Sequence, residues 1–243
     1  MIYEIILLRG LFRGCRHWGD FPTLLQKAFP ECIVTCVNIP GNGYLSSKES
    51  PDTIEGMVES VRLQRKSNLK VCILAVSMGG MIGLKWAELY PKEIASLICV
   101  NTSAKGFSPF YERLLPKNYL KILMALVSNS FKREKLIYEM VSNQPMNLSI
   151  VNEWASYSKL YPMTVSNFFR QLYAAYKFSV LRPECDLYFI TSEKDQLVSY
   201  NATKAISEAW AIPVIINKND GHDIALDNPR WLLATVEKIW GKS

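Results

Sequence analysis

The chain has 243 residues, 49% of them hydrophobic and 21% charged, enough to bury the core of one domain and too apolar for a disordered segment. No apolar run reaches the ~20 residues that a membrane-crossing helix needs. The net charge of +6 is unevenly spread, because residues 104–183 carry eleven Lys and Arg against four Glu. Residues 1–8 lack the basic region and small-residue cleavage site of a signal peptide and read as a first strand. The six cysteines have no metal-type paired spacing, and Cys32, Cys36, Cys72 and Cys99 lie in apolar strand-like runs. They read as buried thiols in a reducing, cytoplasmic compartment.

In chain order, a strand is expected over residues 3–8, then a glycine turn at Leu8-Arg-Gly-Leu-Phe12. A loop with His17 and Trp18 leads into a helix over 21–28, a strand over 32–38 and the loop Asn38-Ile-Pro-Gly-Asn-Gly43. A helix over 52–66, a strand over 71–75, a helix over 79–89 and a strand over 96–101 follow. After residue 183 come a strand over 186–191, a helix over 201–210, a strand over 213–217 and a helix over 229–240. This alternation is the pattern of a mostly parallel α/β sheet covered on both faces.

Residues 103–183 break it. Leu114 and Leu115, then Ile122, Leu123 and Leu126, then Phe168, Phe169, Leu172, Tyr173 and Tyr176 recur at spacings near three and four, which gives helices and no strand. The chain therefore divides into an α/β core over 1–102 and 184–243 with a helical cap inserted at 103–183. Lying between two sheet strands, the cap can sit over their carboxyl ends, where ligands bind in open α/β sheets.

The chemistry is carried by Val71-Cys-Ile-Leu-Ala-Val-Ser-Met-Gly-Gly80, a buried strand, a serine flanked by small residues, and the start of a helix. A sharp turn there would lift the Ser77 hydroxyl above the sheet. A serine that merely caps a helix would need no base; a nucleophilic one does. Of the two histidines, His222 follows the last strand on the same rim as Ser77, whereas His17 suits a structural or lining role. Asp195, just past the strand over 186–191, supplies the carboxylate that fixes the histidine, with Glu193 as its nearest competitor. The backbone N–H groups of Leu11 and Met78 are the candidate oxyanion donors.

Together these residues resemble the α/β-hydrolase family over nearly the whole chain, and in particular small carboxylesterases with a helical cap. The resemblance rests on the turn at 8–11, the 38–43 loop, Val76-Ser-Met-Gly-Gly80, Lys194-Asp-Gln-Leu-Val198 and Gly221-His222. It implies a sheet of about six parallel strands and an ester hydrolase that needs no cofactor or metal. Two departures stand out. Arg9 stands where the family commonly has His, and Ala75 where it has the first Gly of Gly-x-Ser-x-Gly. The chain is similar in length, triad order and basic cap to esterases of pimeloyl-acyl-carrier-protein methyl ester, which would make biotin synthesis its setting. On that reading Lys132, Arg133 and Lys135 meet an acidic carrier protein, and Phe168, Phe169 and Leu172 line an acyl channel. The same charge would equally serve an anionic membrane surface. A carbon–carbon bond hydrolase or lyase with the same triad, and a non-catalytic ligand-binding α/β-hydrolase, are the alternatives. Dispersed Lys and Arg without a recognition motif argue against nucleic-acid binding.

Overall fold

The computed structural model describes residues 2–241. Among them, the strands β1 (Glu4–Leu8), β2 (Ile33–Val37), β3 (Val71–Val76), β4 (Ile94–Val100), β5 (Asp186–Ser192) and β6 (Val214–Asn217) form one parallel sheet in the order β2-β1-β3-β4-β5-β6. β1 and β3 are buried at every position, as expected of inner strands covered on both faces. Alternate side chains of β1 feed two cores. Ile6 and Leu8 pack toward α2 (Ile54–Arg62), α3 (Met78–Leu89) and α9 (Tyr200–Ala209), while Ile5 and Leu7 pack toward α1 (Phe21–Ala28) and α11 (Pro229–Trp240).

The sheet grows from β1 to β2 on one side and then from β3 outward on the other, so the order reverses between β1 and β3. Loops leaving adjacent strands at such a switch point diverge and open a crevice at the carboxyl ends. Residues 9–13 and Ser77 sit there.

The expected helix over 52–66 is shorter, Ile54–Arg62. Thr53 caps its start, and beyond Leu63 the chain turns to bury polar groups. The Gln64 amide donates to Asn38 O and accepts from Asn38 N. The buried Glu4 carboxylate accepts from Lys66 N, Ser67 N, Ser67 Oγ and Thr35 Oγ1 at 2.7–3.1 Å, which meets the requirement that a buried charge be fully hydrogen-bonded. Of the cysteines expected to be buried, Cys72 and Cys99 are, whereas Cys32 and Cys36 flank or lie on strand β2 at the sheet edge and are half-exposed.

Between β4 and β5 the chain forms α4 (Phe110–Arg113), α5 (Tyr119–Val127), α6 (Ser130–Val141), α7 (Leu148–Leu160) and α8 (Val165–Lys177). A short helix after residue 222, α10 (Ile224–Asp227), has no counterpart in the sequence pattern; the Asp223 side chain caps it.

α3 runs close under β1. A Cβ at Gly79 would lie 2.6 Å from Leu8 O and 2.9 Å from Arg9 O. Both are backbone atoms that cannot swing aside. Gly79→Ala is therefore expected to lower stability by about 1–3 kcal/mol, read as a lower urea midpoint; an unchanged midpoint would show that β1 and α3 separate freely.

Candidate active site

Ser77 joins β3 to α3 with φ 60° and ψ −123°, a region that non-glycine residues adopt only when their surroundings force it. Ser77 N donates to Val100 O at 2.8 Å, and Ser77 O accepts from Gly80 N and Thr102 Oγ1, each at 2.9 Å. The turn is thus pinned to the end of β4 and the residues just after it. A Cβ at Gly10 would lie 2.8 Å from Ser77 Cβ, so the glycine lets the turn after β1 pass directly beside the serine.

His222 lies on the loop after β6, and that loop is clamped from several sides. His222 O accepts from Asn101 Nδ2 at 2.8 Å, Asp223 N donates to Val141 O at 2.9 Å, and Gly221 N donates to Asp227 Oδ2 at 2.7 Å. Its ring Nδ1 is 2.6 Å from Asp195 Oδ2. The other carboxylate oxygen of Asp195 accepts from Leu197 N at 2.8 Å and Val198 N at 3.0 Å. With Nδ1–H committed to the carboxylate, Nε2 is left as the acceptor. Asp195 and His222 are buried, whereas Glu193 is exposed.

Ser77 and His222 line one cavity of about 80 Å³. No hydrogen bond joins the two side chains among the described residues; such contacts commonly tighten only around a bound substrate. The cavity also contains Leu11, and the backbone N–H groups of Leu11 and Met78 donate to nothing else among the described residues. Its apolar wall comes from the helices inserted between β4 and β5, chiefly Ile122, Ala125, Ile137, Met140 and Phe168.

Phe168 also lines a second, larger apolar groove of about 560 Å³, together with Leu114 and Ile122. Phe169 and Leu172 line this groove and not the Ser77 cavity. Lys132 and Lys135 are exposed in the first half of α6, while Arg133 turns back to Ser128 O at 3.3 Å.

Two buried arginines border the cavity. Arg9 makes a bidentate pair with Asp223, with one contact at 2.9 Å, and its guanidinium lies 4.8 Å over the Trp18 ring. Arg13 donates to Glu134 of α6 at 2.7 Å and lies 4.3 Å over Trp154 of α7. Burial alone would raise the Asp223 carboxyl, but the charge and hydrogen bonds of Arg9, with Arg13 and His222 adding, carry it below the ordinary value of 3.8. The unusual Arg9 thus has a partner next to the histidine. Sequence reasoning missed Asp223, Arg13, Glu134 and Asn101; adjacency to His222 was the one signal available for Asp223.

His17 does not line the Ser77 cavity. Its Nδ1 accepts from Gly14 N at 3.0 Å, and its ring packs edge-on against Trp154 and Tyr157. Burial, then the nearby Arg13 and Arg9, hold its pKa well below 6.5.

A strand-order reversal with a serine on a strained strand-to-helix turn and a histidine after the last strand defines a hydrolase-type fold, and the family comparison agrees. Residues 4–229 match the model of the alpha/beta hydrolase fold family, and the chain belongs to that family. An alpha/beta hydrolase from a Medee basin deep-sea metagenome library, MGS-M2, superposes with TM-score 0.73 at 21% identity, over 99% of this chain and 90% of that one. The serine hydrolase CCSP0084 from Cycloclasticus gives TM-score 0.76 at 13% identity, covering 98% and 90%. An esterase from Exiguobacterium antarcticum, EaEST, gives TM-score 0.72 at 14% identity, covering 98% and 91%. At these identities the likeness concerns the fold. No curated protein matches the sequence.

Asp223→Ala strands a buried guanidinium and is expected to cost about 3–5 kcal/mol in chemical denaturation, whereas Arg9→Met with Asp223→Leu recovers most of that loss. Equal losses in both variants would refute the pairing argument. His17 sets a pH dependence. It stays neutral when folded but takes up a proton when unfolded below 6.5, so stability falls as pH drops below that value, by up to about 1.4 kcal/mol per pH unit. His17→Gln lowers stability at pH 8 but flattens the slope between pH 7 and 5; an unaltered slope would assign it elsewhere.

Proposed function

We propose that the protein is a serine carboxylic-ester hydrolase working through an acyl-enzyme. The observation that carries this reading is the Asp195–His222 hydrogen bond of 2.6 Å, with His222 and the strained Ser77 lining one cavity. His222 Nε2 takes the Ser77 proton as Oγ attacks the ester carbonyl, and Asp195 stabilises the resulting imidazolium. The negative oxygen of the tetrahedral intermediate is met by the N–H groups of Leu11, in the turn after β1, and of Met78, at the start of α3, where the helix dipole also favours negative charge. The imidazolium then protonates the leaving alcohol, and water releases the acid by the same steps in reverse. Haloalkane and epoxide hydrolases of this fold use Asp at the position of Ser77, which argues for acyl chemistry here.

The apolar wall at Phe168 and the groove beyond it, with Phe169 and Leu172, suit the acyl part of the substrate. An acyl chain delivered by an acidic acyl carrier protein, as a pimeloyl-type methyl ester, is the narrower form of this reading, and the basic side chains Lys132, Arg133 and Lys135 are its support. The setting we propose is cytoplasmic, on the strength of the free cysteines.

Ser77→Ala should leave the fold intact and reduce p-nitrophenyl ester turnover by about 10⁴-fold or more, and a fluorophosphonate should label the wild type on Ser77 alone. Asp195→Asn should cost about 10⁴-fold through loss of imidazolium stabilisation and the wrong tautomer. Labelling without any ester turnover across chain lengths would instead favour carbon–carbon bond hydrolysis by the same groups.

A further inference from the structure

α5 carries Leu120, Leu123, Met124 and Val127 at the i, i+3, i+4, i+7 spacing of a core-facing stripe. Yet these side chains face outward, with Leu120 69%, Leu123 54% and Val127 88% exposed. The helix packs through its other side, where Ala125 is buried. A second exposed stripe, Phe169, Tyr173 and Tyr176, runs along α8, and Phe110 of α4 stands beside it because Arg113 donates to Ala175 O and Tyr176 O. The 560 Å³ groove opens between these stripes and shares Phe168 with the Ser77 cavity. A monomer rarely leaves so continuous an apolar surface to water.

The charges around it are predominantly positive, although Glu112 lies on α4. Lys117, Lys121, Lys132 and Lys177 flank α5 and α8, within the segment of eleven cations and four Glu. Of those Glu, Glu134 is spent on Arg13 and Glu139 lies 3.7 Å from Lys121. Outward Leu and Val, aromatic Phe and Tyr at the edge, and a basic fringe are what an element needs to lie in the headgroup layer of an acidic bilayer.

We infer that the α4–α5–α8 face docks on an anionic lipid bilayer, with Leu120, Leu123, Met124 and Val127 inserted among the acyl chains and the groove mouth turned to the lipid. An acidic carrier protein would engage the lysines but leaves the α5 stripe in water, which is why lipid is the better occupant. The docking claim does not depend on the ester-hydrolase reading, since binding needs no turnover.

The test is flotation of the whole protein with vesicles of phosphatidylcholine alone or with a third phosphatidylglycerol. Ser77→Ala is run alongside to exclude lipid cleavage as a cause. We expect binding to the mixed vesicles at low salt, at least ten-fold weaker binding to phosphatidylcholine alone, and release by 0.5 M NaCl. Leu120→Asp with Val127→Asp lies outside both the Ser77 cavity and the groove. It should abolish flotation while leaving turnover of a short soluble ester and the thermal midpoint unchanged. Absence of flotation of the wild type, flotation of the double variant, or tight binding of an acidic acyl carrier protein without vesicle binding would each overturn the inference. Flotation of a protein that turns over no ester would sustain the docking and defeat the ester-hydrolase reading.

Discussion

The arrangement depends on holding one residue, Ser77, in a backbone conformation that it would not keep alone. That strain is of order 1–3 kcal/mol, and the sheet supplies the restraint. The Ser77 amide and carbonyl are tied to Val100 and Thr102, and α3 is drawn beneath β1 through Gly79. Because β1 and β3 are buried and adjacent, the turn after each is delivered to the same rim. The residues proposed to do the chemistry are thus placed by buried, closely packed parts of the molecule.

The second organising device is electrostatic. Two guanidinium groups are buried beside the cavity, and each is matched by a carboxylate from a distant element, Arg9 by Asp223 and Arg13 by Glu134. The first pair ties the turn after β1 to the histidine loop, and the second ties the same turn to α6. Buried pairs of this kind add little net stability but penalise any arrangement in which one partner is missing. They make the relative position of histidine loop, turn and inserted helices all-or-none.

The strands were legible because inner parallel strands are continuous apolar runs, and residues 71–75 and 96–101 read that way without knowledge of their neighbours. Ser77, Asp195 and His222 were legible as positions because each sits within a few residues of a strand end in the family's chain order. What brings Asp195 and His222 into contact was legible only as order, not as geometry. The end of the helix at Arg62 was hidden because the chain just beyond it is bound by Glu4 and Asn38, which lie 58 and 24 residues earlier in the sequence. Periodicity put Phe168, Phe169 and Leu172 on one helix face but could not tell that only Phe168 reaches the Ser77 cavity. Likewise the α5 stripe reads as core by its spacing, and only the packing of Ala125 on the opposite side reveals that it faces out.

The Arg9–Asp223 pair spans 214 residues. During synthesis Arg9 emerges 214 residues before the carboxylate that neutralises it. At the usual 5–20 residues per second that interval is roughly 10–40 s. Throughout it, a native-like collapse around β1 would bury a guanidinium without its partner, which is costly. The segment that completes the cavity is therefore also the one that neutralises the cation buried behind it.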